Sequence, residues 1–107
     1  MSGDIIELSE KNFDEKIKKG KWIIDFWAIW CSPCKIMAPH FEAAAKEMKN
    51  KINFGKVNVD ENYSLAERYG IMSIPTTILF KDGEIIDQTV GAMTSKEKIM
   101  NFIGNNF

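Results

Sequence analysis

Residues 21 to 28 read KWIIDFWA, a nearly unbroken apolar run rich in isoleucine and aromatic side chains. A strand with one wet face alternates apolar and polar residues, whereas a run without that alternation has to be covered on both faces. The stretch therefore demands a central strand with structure packed above and below it, and helices are the usual cover. The chain has 107 residues, enough for one modest core and too few for a second, so residues 1 to 107 are expected to form a single domain. No internal repeat, low-complexity tract or Pro/Gly/Ser-rich linker divides it.

Composition removes several classes of function. Fourteen basic side chains against fifteen acidic ones leave a net charge of -1, and no block of Lys or Arg offers a footprint for nucleic acid. No run approaches the roughly 20 apolar residues needed to span a bilayer, so no membrane partner is expected. The start, MSGDIIELSEKNF, lacks a basic leader followed by an apolar stretch, and a cytoplasmic location is the expectation.

The rest of the chain alternates strands and helices. DIIEL predicts a short strand over residues 4 to 8. Asn12 stands three residues before Glu15 in capping-box spacing, Phe13 and Ile17 are four apart, and Gly20 is a stop signal, which predicts a helix over 13 to 19. A long helix runs from Pro33 to about Asn50, burying Phe41, Ala44, Ala45 and Met48, with a kink expected at Pro39. INFGKVNVD is a second central strand, and ENYSLAERYG a short helix ended by Gly70. TTILFKDGEIIDQTV is a hairpin turning at Asp82-Gly83. Thr94 and Glu97 form another capping box ahead of Ile99, Phe102 and Ile103. The order predicts an α/β sandwich whose sheet is parallel at the start and antiparallel at the end.

Both cysteines, Cys31 and Cys34, fall in WAIWCSPCK, where the buried strand gives way to the long helix. A structural disulfide, half of a metal site and a dithiol that opens and closes are the three readings. In a reducing cytosol a disulfide is usually transient and catalytic. A zinc site would need ligands that a chain with one histidine, His40, and no second C-x-x-C does not offer, so no metal is expected. The spacing puts Cys31 at the N-cap, Ser32 and Pro33 in the first turn and Cys34 third in the helix, on one face and roughly 5 to 6 Å apart, the distance a disulfide requires. Pro33 suits a first turn, where its missing amide hydrogen has no intrahelical partner. Free amides and the positive helix end favour thiolate at the N-cap, which makes Cys31 the nucleophile and Cys34 the resolving partner.

Asp25 lies inside the apolar strand, where burying a carboxylate raises its pKa. Alternation places Lys56 in the row of Ile52 and Phe54 on a neighbouring strand, near the carboxyl end where active sites of open sheets sit. The two residues read either as a buried structural pair or as a proton-exchanging carboxyl with a charged neighbour.

FWAIWCSPCK, preceded by its strand and followed by KVNVDEN, YGIMSIPTTILFKDGE and VGA, resembles the thioredoxin family over essentially the whole chain. That resemblance implies a thioredoxin fold, a central mixed sheet of five strands flanked by four helices. It implies a protein disulfide reductase acting on disulfide-containing client proteins, recharged by a thioredoxin reductase, with no bound cofactor; a monomer is expected. It implies that Asp25, directly or through water, takes the proton of Cys34, that the Ile74-Pro75 bond in SIPT is cis, and that Trp30, Ile74, Pro75, Gly91 and Ala92 form the substrate groove. The cis bend would set the Ile74 backbone beside Cys31, where an extended client segment can pair with it. Ser32, where the family most often has glycine, brings a hydroxyl beside the nucleophile, and with Pro33 and Lys56 it is expected to tune the redox poise. The alternatives are an oxidase or isomerase that delivers disulfides and a non-enzymatic adaptor built on the same fold.

Overall fold

The structure, a computed structural model, describes residues 3 to 107. Nine elements follow in the order β1 (Ile5–Leu8), α1 (Phe13–Ile17), β2 (Lys21–Trp27), α2 (Ser32–Met48), β3 (Asn53–Asn58), α3 (Tyr63–Arg68), β4 (Thr76–Lys81), β5 (Glu84–Val90) and α4 (Lys96–Gly104). The strands form one five-stranded sheet in the order β1-β3-β2-β4-β5. β1 and β2 both run parallel to β3, whereas β4 is antiparallel to β2 and β5 antiparallel to β4.

The apolar strand β2 occupies the centre, and both its faces are covered. On one face Ile23, Phe54 and Leu79 pack with Met37, Phe41, Ala44 and Ala45 of α2 and Ile99 and Ile103 of α4. On the other, Trp22, Ile24, Phe26, Ile78 and Phe80 pack with Phe13 and Ile17 of α1 and Leu65 of α3. Phe13, Tyr69 and Phe80 meet there with ring centroids 5.5 to 5.8 Å apart. Two apolar faces on one strand are what force the three-layer arrangement.

Local signals are met with some displacement. Asp82 and Gly83 both have positive φ, at 50° and 86°, the backbone of a two-residue hairpin turn. Gly70 closes the α3 segment at φ 64°. α2 runs through the exposed Pro39 without interruption. α1 stops at Ile17, short of the expected residue 19, and Asn12 does not cap it: its Oδ1 accepts the backbone N–H of Ser9 at 2.7 Å. The cap of α4 is Ser95, not Thr94; its hydroxyl accepts the N–H of Lys98 at 3.1 Å, while the Thr94 hydroxyl takes the Lys98 ammonium. Because β5 is an edge strand, its Ile85 and Ile86 are exposed even though β4 beside it is buried. Among the described residues no helix is long and apolar enough to cross a membrane.

Candidate active site

The carboxyl end of β2 feeds directly into α2, so the two cysteines lie at the edge of the sheet rather than inside it. Cys31 is the N-cap, in extended backbone at φ -89° and ψ 108°, with Ser32 and Pro33 opening the helix. Its Sγ accepts the N–H of Cys34 at 3.2 Å, one of the amides that a helix start leaves unpaired. The two sulfurs are bonded to each other, with Cα atoms 5.3 Å apart, so the protein is in its oxidised form. Both residues are buried against Ala28, with Trp27, Val59 and Ile74 packed around them. The Ser32 hydroxyl is exposed and makes no hydrogen bond among the described residues. No group of three or more His, Cys, Asp or Glu side chains among the described residues is arranged to hold a metal ion.

The Ile74-Pro75 bond is cis, and the carbonyl oxygen of Ile74 lies 3.7 Å from Cys31 Sγ. A disulfide sulfur has no proton to give, so this is a contact in the oxidised form that becomes available as a hydrogen bond once Cys31 is a thiol. Trp30 is 66% exposed and is tied down by its Nε1–H, which donates to Asp60 at 2.8 Å. Gly91, at φ 103°, donates its N–H to the Pro75 carbonyl at 2.8 Å, so its backbone is fastened beside the cis bend. Only glycine adopts that φ without strain. Ala92 is half-buried and packs partly against the α2/α4 core. Trp30 and Ile74 share a cleft of about 220 Å³ with Val59, Asp60, Tyr63, Ala66, Ile71 and Met72. Tyr63 at 70% exposure and Met72 at 95% are apolar surface that the sequence reading did not single out; Tyr63 is one bulky residue in a polar stretch, and Met72 sits in a short loop of mixed residues, so neither carries a periodic signal.

Asp25 points to the sheet face covered by α2, with Ile23, and is fully buried. Cys34 continues the buried stripe of Met37 and Phe41 into the first turn of α2, at the same end of the sheet. Neither oxygen of the Asp25 carboxyl has a hydrogen-bond partner among the described residues, and burial pushes its pKa up to about 7, with the positive charge of Lys56 pulling the other way. Lys56 is the register neighbour of Asp25 on β3, but no ion pair joins them. Its ammonium sits 5.0 Å over the ring of Trp27 instead. The two residues therefore interact through charge at a distance and not through a contact ion pair. Thr77, opposite Asp25 on β4, is a further polar group on this face that the sequence reading passed over as an ordinary strand residue.

The thioredoxin family profile matches residues 4–105. The chain is 45% identical over 104 residues to a thioredoxin of Buchnera aphidicola, covering 95% of each. It is 48% identical over 87 residues to a thioredoxin of Staphylococcus saprophyticus, covering 81% of this chain and 84% of that one, and 46% identical over 87 residues to one of Staphylococcus aureus. With a matching family profile, relatives similar over most of their length, a five-stranded mixed sheet under four helices and a Cys-Ser-Pro-Cys disulfide at a helix start, the chain belongs to the thioredoxin family and is a protein disulfide reductase.

Proposed function

We propose that Cys31 is the attacking thiolate, Cys34 the resolving thiol and Asp25 the group that accepts the Cys34 proton. The observation that carries this reading is the N-cap position of Cys31, whose sulfur accepts the Cys34 amide and faces the positive end of a 17-residue helix. In the reduced protein the Cys31 thiolate attacks one sulfur of a client disulfide, forming a mixed disulfide and releasing the other client sulfur as a thiolate. Asp25 takes the proton of Cys34, and the new thiolate attacks Cys31. The mixed disulfide breaks, the client leaves with both its sulfurs reduced, and two electrons have passed from this protein to the client. A carboxyl with a pKa of about 7 is suited to that transfer near neutral pH, since it is neither always charged nor always neutral there.

The client's backbone pairs with Ile74 in extended form, and its side chains lie over Trp30, Pro75, Gly91 and Ala92. Such a surface of backbone and flat apolar groups tolerates many sequences. Family members in general act on disulfide substrates and are recharged by a reductase; for this chain we infer protein clients, a thioredoxin reductase as the source of electrons, and the reducing cytoplasm as the place of work. Residues 1 to 107 are read as one domain, supported by the single sheet formed by strands between Ile5 and Val90.

The test is reduction of an exposed protein disulfide, such as that of insulin, driven by dithiothreitol. Catalysis by the wild type and its loss in Cys31→Ser is the expected result, and a mutant as fast as the wild type removes Cys31 from the nucleophile's role. A redox titration against glutathione separates a reductase, with a low potential, from a protein that delivers disulfides.

A further inference from the structure

The register of the sheet assembles a polar row across all five strands. Glu7 on β1 pairs with Lys56 on β3, Lys56 with Asp25 on β2, Asp25 with Thr77 on β4, and Thr77 with Thr89 on β5. Residues opposite one another on adjacent strands project to the same face, so these five side chains lie side by side on the face that α2 and α4 cover, with Asp25 and Thr77 buried at its centre and Glu7 exposed at its edge. The next row on that face, Ile5, Phe54, Ile23 and Leu79, is apolar and buried across β1, β3, β2 and β4, and only its member on the edge strand β5, the exposed Asp87, is polar. The polar row is confined to the end of the sheet that carries the disulfide.

Thr77 is the unexplained member. It is fully buried, and its Oγ1 has no hydrogen-bond partner among the described residues. Its neighbour Thr76 spends its hydroxyl on the Ser73 carbonyl at 2.5 Å. A buried hydroxyl without a partner is destabilising, and valine would satisfy the strand's preference for a β-branched side chain without that cost. Directly opposite stands a carboxyl that also lacks a partner for either oxygen. A threonine hydroxyl is a rotor that donates one hydrogen bond, and an ionised carboxylate only accepts.

We propose that Thr77 is a positioning residue for Asp25: when Asp25 ionises, the Thr77 hydroxyl turns onto the carboxylate, donates a hydrogen bond to it and favours the charged form. This rests on the reading of Asp25 as the acceptor of the Cys34 proton and adds how that acceptor is held. Thr77 then works with Lys56 against the effect of burial, one from each flanking strand. On β2 itself, Trp27 follows two residues along the same face, and its buried Nε1–H also lacks a partner among the described residues. Lys56 has Glu7 beyond it, with the charge of Glu61 acting on Glu7. α2 brings Cys34 and Cys31, which carry no titrating proton while bonded to each other, with apolar Met37; α4 brings Ile99 and Ile103, and β5 brings the neutral Thr89.

The experiment is a carbon-13 titration of the Asp25 carboxyl in the oxidised full chain, for wild type, Thr77→Val, Thr77→Ser and Thr89→Val. The same proteins are followed by acid-quenched detection of mixed-disulfide decay. Loss of the donor in Thr77→Val is expected to raise the Asp25 midpoint by about one pH unit. Decay of the mixed disulfide at pH 6 is then about tenfold slower, with its formation unchanged. Thr77→Ser keeps the hydroxyl and restores both, and Thr89→Val moves neither. An unmoved midpoint in Thr77→Val overturns the proposal, as does an equal shift in Thr77→Ser, which would trace the effect to packing. A midpoint that moves while decay does not would support the Thr77 contact and remove Asp25 from the second step.

Discussion

Lys56 holds its ammonium 5.0 Å above the ring of Trp27 instead of against the carboxylate of Asp25, its neighbour in the sheet register. A direct ion pair would favour ionised Asp25 strongly; a cation at one remove, half-buried and partly solvated, does so weakly. Desolvation therefore wins, and the carboxyl titrates near neutrality. The indole face in turn holds the lysine over Trp27 by cation–π attraction.

That balance predicts the stability of Asp25→Asn. The pKa of Asp25 is raised from 3.8 to about 7 on folding, so between these values the folded state holds a proton that the unfolded state has lost. Stability from this group is complete below pH 4 and is lost as pH rises through 7. At 1.36 kcal/mol per unit the loss amounts to about 4 kcal/mol. Urea unfolding of the oxidised protein should show wild-type stability falling between pH 4 and 8 and the Asn variant lacking that component, so that the variant is the more stable by several kcal/mol at pH 8. A variant less stable than wild type at pH 8 would mean that Lys56 is left unpaired by the change, as in a true buried pair.

Replacement of Lys56 by Met should act on the titration in the same sense as Thr77→Val. The positive charge lowers the Asp25 pKa, so its removal raises the midpoint above that of wild type. The pH dependence of mixed-disulfide decay is expected to shift to higher pH, with formation of the mixed disulfide little changed. Decay profiles measured across pH 6 to 9 read this directly, and coincident profiles would show that the Lys56 charge does not reach Asp25.

The two tryptophans beside the motif should respond differently to reduction. Trp27 is half-buried and packs against the cluster formed by Ala28, Cys31 and Cys34, while Trp30 is largely exposed and bonded to Asp60. A disulfide quenches an indole in contact with it, so reduction should raise the fluorescence, and the rise should vanish in Trp27→Phe and persist in Trp30→Phe. Loss of the rise in the Trp30 variant alone would reverse the assignment.

What the chain reveals before folding follows the range of each signal. The two-sided burial of β2 is written in consecutive residues, and so is the Cys31–Cys34 spacing, because a helix turn converts three positions into a separation of 5.3 Å. Caps are less legible. Thr94 and Ser95 are adjacent hydroxyls with equal capping chemistry, and only the path of the preceding loop selects Ser95. Asn12 turns its side chain back to Ser9 for a similar reason. The surroundings of Asp25 are the least legible: Lys56 and Thr77 reach it through strand register, which pairs residues far apart in sequence. Strand alternation brings Lys56 near Asp25 and leaves proton exchange as one of two readings, between which the family resemblance chooses, whereas neither composition nor periodicity marks Thr77 as different in kind from Thr76.

The kinetic consequence of Asp25→Asn separates the two chemical steps. Formation of the mixed disulfide needs only the Cys31 thiolate, which is favoured by the Cys34 amide and the start of α2 and does not depend on a proton acceptor. Resolution needs Cys34 as thiolate, in a buried position where ionisation is disfavoured. Asparagine has the shape of the aspartic acid but cannot take the proton. The variant is therefore expected to form mixed disulfide with a client at the wild-type rate and to accumulate it at pH 7, where decay should slow by roughly 10² to 10⁴, the usual worth of a general base. Raising the pH to 9 should recover much of the decay rate as Cys34 ionises unaided. Rapid mixing with acid quench across pH 6 to 9 measures both steps on the same samples. Decay as fast as wild type at every pH would leave Asp25 with no part in the exchange, and recovery absent at pH 9 would show that its contribution is to the packing around Cys34 rather than to the proton.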